Sequence, residues 1–221
     1  MTRAQALDSC ALTAGLPADG QARALRLLAA KTGRYLRGQT LHGGGAPLAR
    51  FGLVLEGIVQ VCMEELDGRL ILMASVGEGE TFGESLCYLG QPTDVRIVAL
   101  TGAAVLWLDP ARLRQSDPDP LAQELRRRFT AMLAQRTLAM NDRIQILSRH
   151  GLRARLITFF SQYARRWGRQ FTVPFDRASL AAYLGVDRSA LSRELSRMQK
   201  EGLLQVRKNH FTLLFPADPP Q

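Results

Sequence analysis

Little in these 221 residues offers reactive chemistry. The three cysteines, Cys10, Cys62 and Cys87, are an odd number without a C-x-x-C spacing, which fits neither a disulfide framework nor a four-thiolate metal site. The three histidines, His42, His150 and His210, lie at no paired metal-binding spacing, which argues against a zinc hydrolase. No Ser, His or Cys belongs to a triad sequence or an activated-nucleophile motif, so an enzyme is not expected. No apolar run approaches the roughly 20 residues of a membrane span. Met1-Thr2-Arg3-Ala4-Gln5 has no apolar signal segment, so the expectation is a cytoplasmic protein with no membrane contact.

Acidic residues are also outnumbered: 29 Lys and Arg against 20 Asp and Glu give a net charge of +9. The excess is uneven. From Leu152 onward 12 basic residues face 5 acidic ones, +7, leaving +2 for everything before. A field acts where charges cluster, so the C-terminal part is the expected partner of a polyanion such as double-stranded DNA.

At 46% hydrophobic the chain can bury two modest cores, and its periodicity changes twice. A helical segment is expected to about Ala30. From Tyr35 to Leu108 short apolar runs with period-two character and frequent Gly read as strands. Leu53-Val54-Leu55-Glu56-Gly57-Ile58-Val59 reads as strand, kink, strand, Asp67-Gly68 as a hairpin turn, and Thr101-Gly102 as a break between two more strands. An antiparallel β-roll follows. Asp117-Pro118-Asp119-Pro120 then marks a helix start, and no Pro or Gly interrupts Leu121 to His150, about 45 Å of helix. Phe129, Leu133, Met140, Ile144 and Leu147 form one stripe, with Leu121, Leu125, Met132 and Ile146 elsewhere around the axis. One face is expected to pack on the roll and the other, the stripe of Phe129, Leu133, Met140, Ile144 and Leu147, on the same helix of a second subunit. Gly151 breaks the pattern, making Ser148 to Gly151 a natural hinge.

The densest motif runs from Ser179 to Met198. Ala181 is small where two helices would cross, Gly185 suits a left-handed turn, and Val186, Leu191 and Leu195 supply an inner face. That is the spacing of a helix-turn-helix, with Asp187 placed to cap the second helix. Arg188, Ser189, Ser192 and Arg193 then occupy its leading turns and are the expected base readers, Arg193 first, because an arginine can bond guanine O6 and N7 together. Two short strands around Arg207-Lys208-Asn209-His210 read as a wing. Arg177, Arg207 and Lys208 are the expected phosphate contacts.

Over nearly its whole length the chain resembles the Crp/Fnr family, the cyclic-AMP-receptor and fumarate-nitrate regulators. The resemblance rests on Tyr35-Leu36-Arg37-Gly38-Gln39, Leu53 to Val59, Gly79-Glu80-Thr81-Phe82-Gly83-Glu84, the long helix, and Val173-Pro174-Phe175-Asp176-Arg177 before the helix-turn-helix. The run through Gly202-Leu203-Leu204 is similar to a less-characterised group of these regulators common in anaerobes. The resemblance implies an α+β fold: an effector-sensing roll with an N-terminal helix over 1–117, a dimerisation helix and hinge over 118–150, and a winged helix-turn-helix over 151–221. It also implies a homodimer, a small effector in the roll, and contact with RNA polymerase.

It further points to an effector pocket at Gly83, Glu84, Ser85, Arg96, Met140 and Asn141. Cyclic-nucleotide-binding relatives follow Gly-Glu about ten residues later with Arg-Ser or Arg-Thr. Thr93-Asp94-Val95 stands there instead, and a carboxylate repels a phosphate, so cyclic AMP is not expected. Three scattered cysteines cannot hold the iron-sulfur cluster of other members. Haem remains open, with His42, Cys62, Met63, Met73, Cys87 and Met140 as candidate axial ligands. So does a ligand-binding regulatory subunit that docks on a protein rather than on DNA.

Overall fold

The computed structural model describes residues 2–64, 70–115, 117–173 and 175–215. Packing divides the chain into two units, Met1–Gln135 and Arg136–Gln221.

The first unit opens with α1 (Arg3–Ser9) and α2 (Ala18–Leu27), two helices where the sequence suggests one helical segment. The strand-reading stretch forms eight strands: β1 (Lys31–Tyr35), β2 (Thr40–His42), β3 (Phe51–Glu56), β4 (Val59–Glu64), β5 (Leu70–Val76), β6 (Thr81–Phe82), β7 (Val95–Ala99) and β8 (Ala103–Leu108). Between β6 and β7 lies α3 (Glu84–Leu89), and after β8 a single turn, α4 (Ala111–Arg114). The strands form two four-stranded antiparallel sheets, ordered β1-β8-β3-β6 and β2-β7-β4-β5. Strand structure begins at Lys31, four residues before the sequence suggests. The strands flanking Thr101-Gly102 do not pair as a hairpin: β7 and β8 belong to different sheets. Asp67-Gly68 lies outside the described residues.

The kink at Gly57 has a steric cause. Its φ is 82°, and a Cβ there would sit 2.2 Å from the carbonyl oxygen of Gly102. Only glycine lets β3 turn into β4 against that neighbour. The roll's interior is filled by Phe51, Leu53, Val59, Ile97, Val105, Leu106 and Leu108, all at or near zero exposure.

The long helix, α5 (Pro120–Leu147), starts where the acids and prolines indicate: Asp119 Oδ1 accepts from the Leu121 N–H at 2.9 Å. The unit boundary falls inside this helix. Leu125, Phe129 and Met132 are buried in the roll's core, whereas Ile146 is buried in the second core.

The second unit adds α6 (Leu152–Trp167), β9 (Gln170–Thr172), α7 (Arg177–Leu184), α8 (Arg188–Lys200), β10 (Leu204–Arg207) and β11 (His210–Leu213), with a three-stranded sheet ordered β10-β11-β9. β9 is absent from the sequence reading; three residues are too short for a period-two signal. The core is aromatic: Phe159 touches Phe160, Tyr163, Phe175 and Tyr183, and Phe160 packs on Phe211 with ring centroids 4.8 Å apart. No helix among the described residues is long and apolar enough to cross a membrane.

Candidate nucleic-acid interface

The helix-turn-helix is built locally. Asp176 caps α7, its carboxylate accepting from the Ser179 N–H at 2.7 Å; that bond, with the nearby Arg188 charge, holds the carboxyl below its ordinary range. Gly185 ends α7 in the left-handed region at φ 66°, ψ 42°, and Ala181, 2% exposed, fills the helix crossing. Asp187 occupies the N-cap position of α8, but its side chain makes no cap bond, so the expected cap is positional only. Leu191, Leu195 and Met198 bury one face of α8. Arg188, Ser189, Ser192 and Arg193 are exposed on the other.

Arg177, Arg188 and Lys208 line one recess with Asp176 and Asn209, between the starts of the two helices and the wing. Arg177 is less free than a surface cation, because its guanidinium lies 5.5 Å from the Phe211 ring centroid and burial lowers its pKa. The wing closes through Lys208-Asn209. Lys208 has φ 58°, a strained conformation that puts a cation where glycine is easier, while Asn209 is tied to Val173 by main-chain and side-chain bonds. Arg207 is exposed beside it.

α8 is held in place by charge on its buried side. Arg153 of α6 bonds Glu194 at 2.5 Å and both oxygens of Glu201 at 2.7 and 2.8 Å, which pushes its own pKa up and Glu201's down. Arg155 donates to the carbonyls of Arg149 and Leu184, at 3.2 and 3.0 Å, bridging the Ser148–Gly151 segment to the turn before α8. The end of α5 is fastened as well, by Asp142 to Arg166, Gln162 to the Asp142 carbonyl, and Arg143 over the Tyr183 ring. The expected hinge is therefore bound into the second unit rather than free.

In the roll, Gly83 precedes α3 and Glu84 is its first residue. Glu84 is only 4% exposed and accepts from the Thr81 hydroxyl, so this carboxylate is already engaged inside the protein. Ser85 is exposed. Arg96 pairs with Glu64 at 3.8 Å and sits opposite Cys62 in the sheet. Met140 and Asn141 are exposed and belong to the other unit. Among the haem candidates, His42 is on β2 and Met73 on β5, the two outer strands of their sheet, three spacings or about 14 Å apart. Cys62 and Cys87 are buried, and burial, helped by the Glu84 charge, pushes the Cys87 thiol up to about 12.

Two family models match the chain: the cyclic nucleotide-binding domain over residues 32–116 and the Crp-like helix-turn-helix domain over 154–217. The chain belongs to the Crp/Fnr family. It joins the two parts of a DNA-binding transcription regulator of that family, an effector-binding domain and a helix-turn-helix. Among known Crp/Fnr proteins it is 23% identical over 180 residues to the CRP-like cAMP-activated global transcriptional regulator of Mycobacterium tuberculosis, covering 78% of this chain and 79% of that protein. It is 27% identical over 97 residues to electron transport regulator A of Shewanella oneidensis, covering 41% of this chain but only 39% of that protein. The same fold is seen in FixK2 from Bradyrhizobium japonicum, with TM-score 0.53, 22% identity, 84% of this chain and 93% of that one. It recurs in the c-di-GMP responsive global regulator CLP of Xanthomonas campestris, with TM-score 0.54, 21% identity, 90% of this chain and 100% of that one.

Two features of this Crp/Fnr chain differ from the sequence reading. Phe129 is 1% exposed, with ring centroids 5.4 Å from Phe51 and 5.5 Å from Tyr88, so it belongs to the roll's core and not to a subunit-facing stripe. Leu133 is half-buried against the same core, while Met140 and Ile144 are 61% and 63% exposed and Leu147 remains exposed. The second feature is the pair Arg197 and Lys200, which share a recess on α8 with Ser192, Arg193 and Ser196. Arg197 follows Arg193 by four residues and Lys200 follows Arg197 by three, the spacing of one helical face, and that was the available signal.

Proposed function

We propose that this regulator works as a homodimer that reads an approximately palindromic operator with Arg188, Ser189, Ser192 and Arg193 of α8, while Arg177, Arg207 and Lys208 hold flanking phosphates. The observation that carries the reading is the exposed leading turns of α8 opening onto a recess lined by Arg177, Arg188 and Lys208. Donors gathered there suit guanine edges and backbone phosphates in one docking. Met140, Ile144 and Leu147, exposed at steps of four and three, supply the subunit-facing stripe of α5. RNA polymerase is the downstream partner.

The effector that controls binding sits in the roll and is not a cyclic nucleotide. Asp94 stands where a phosphate-neutralising cation is needed, Arg96 is paired to Glu64, and Glu84 is engaged by Thr81. A residue that must meet a ribose hydroxyl or a cyclic phosphate is thus occupied or replaced at each point.

Selection from a randomised duplex library, followed by Arg193→Ala, tests the base-reading assignment. Affinity for the selected duplex falls by about 1–3 kcal/mol, while salt-sensitive binding to random duplex is largely kept. Equal loss on both duplexes sinks it.

A further inference from the structure

α8 is longer than base reading needs. Its 13 residues span about 20 Å, whereas the major groove is about 12 Å wide. If its leading turns meet base edges, as proposed above, Arg197 and Lys200 lie about 13 and 18 Å further along the axis from Arg188, beyond the groove's width. What borders a groove there is the phosphate backbone.

The face they occupy is prepared for anions. Ser192, Arg193, Ser196, Arg197 and Lys200 line one open recess. The acidic residues nearest in sequence, Glu194 and Glu201, are drawn to the α6 side by Arg153. Arg197 has a long contact to Glu194, 3.6 Å, lies within electrostatic reach of Glu201, and has a side chain that is 67% exposed. Ser192 and Ser196 donate their hydroxyl hydrogens backward to the carbonyls of Arg188 and Ser192, both at 2.9 Å, so the donors left at this recess are the cations.

We infer that Arg197 and Lys200 form a second phosphate-binding site, a clamp on the DNA backbone at the trailing end of the recognition helix, separate from the contacts at Arg177 and the wing. This rests on α8 being the reading helix. Arg153 is its positioning residue, since it takes the short bonds of both carboxylates, 2.5 Å to Glu194 and 2.7 Å to Glu201, and leaves Arg197 only the weaker share of them. Basic residues in a last helical turn also stabilise the helix dipole, and the test must separate that role from DNA contact.

The experiment measures affinity of the full chain for the selected duplex and for a random duplex across a salt series, comparing wild type with the double variant Arg197→Gln and Lys200→Gln. Loss of two phosphate contacts per subunit reduces the slope of log affinity against log salt by about 1.8 per subunit, equally on both duplexes and with base preference unchanged. Charge-preserving Arg197→Lys with Lys200→Arg keeps the wild-type slope. A double variant that melts earlier but retains the slope overturns the clamp and leaves only the dipole role. A changed base preference at an unchanged slope also overturns it, by making these residues readers. If wild type selects no sequence at all, the base-reading assignment fails instead, a result distinct from either.

Discussion

The two units solve folding in opposite ways. The roll is assembled from pairings distant in sequence: Lys31 faces Trp107 and Phe51 faces Leu108. Its core is mostly aliphatic, and the buried carboxylate of Glu84 is sequestered there by Thr81. The helix-turn-helix occupies 25 consecutive residues from Asp176 to Lys200, rests on an aromatic core, and turns its charged groups outward. A binding surface made from one contiguous segment can be read from spacing; a pocket made from strands far apart cannot.

The largest test of this contrast is Phe159→Ala. Phe159 joins four other rings in the second core, and its loss costs about 3–5 kcal/mol. Calorimetry should show the transition of the second unit moving down while that of the roll stays in place. Both moving together would break the division into two separately cored units.

A comparable effect is expected inside the roll at Cys87. A thiol pushed up to about 12 by burial carries roughly a thousandfold less thiolate at pH 8 than an ordinary one, so alkylation of native protein at Cys87 should be slower by that factor than in denaturant. Prompt native labelling, followed by mass spectrometry, would show the roll's interior to be open.

The smallest effect belongs to the cap of α7. Asp176→Ala should cost about 1 kcal/mol at neutral pH, measured by urea unfolding of the second unit. The Asp176 carboxyl is depressed by its bond to the Ser179 N–H, so its contribution is complete above the unfolded value of about 3.9 and is lost as pH falls through the lower folded value. The gap between variant and wild type should therefore close in acid; a gap independent of pH would mean that the cap works through something other than the ionised carboxylate.

Legibility followed the same division. Ala181, Gly185, Leu191 and Leu195 announced the helix-turn-helix because each constraint acts within a few residues. Asp187 misled in detail, since position favours a cap bond but side-chain geometry does not make one. Phe129 was assigned to the wrong partner because periodicity groups residues on a helix face without saying what covers it. The crossing of β7 and β8 into different sheets had no local signal, nor did the withdrawal of Glu194 and Glu201 by Arg153, 41 and 48 residues away.

The sequence by itself determined the order of the parts: strands, one long helix, then a basic helix-turn-helix with a wing. Side-chain period, glycine placement and charge clustering are properties of neighbours in the chain. Tertiary structure alone decided which carboxylates are silenced, that Glu84 is engaged within the roll, that the Ser148–Gly151 segment is fastened by Arg155, and which cations remain facing outward. Those outcomes depend on distances between segments, and a charge acts on whatever the fold brings near it.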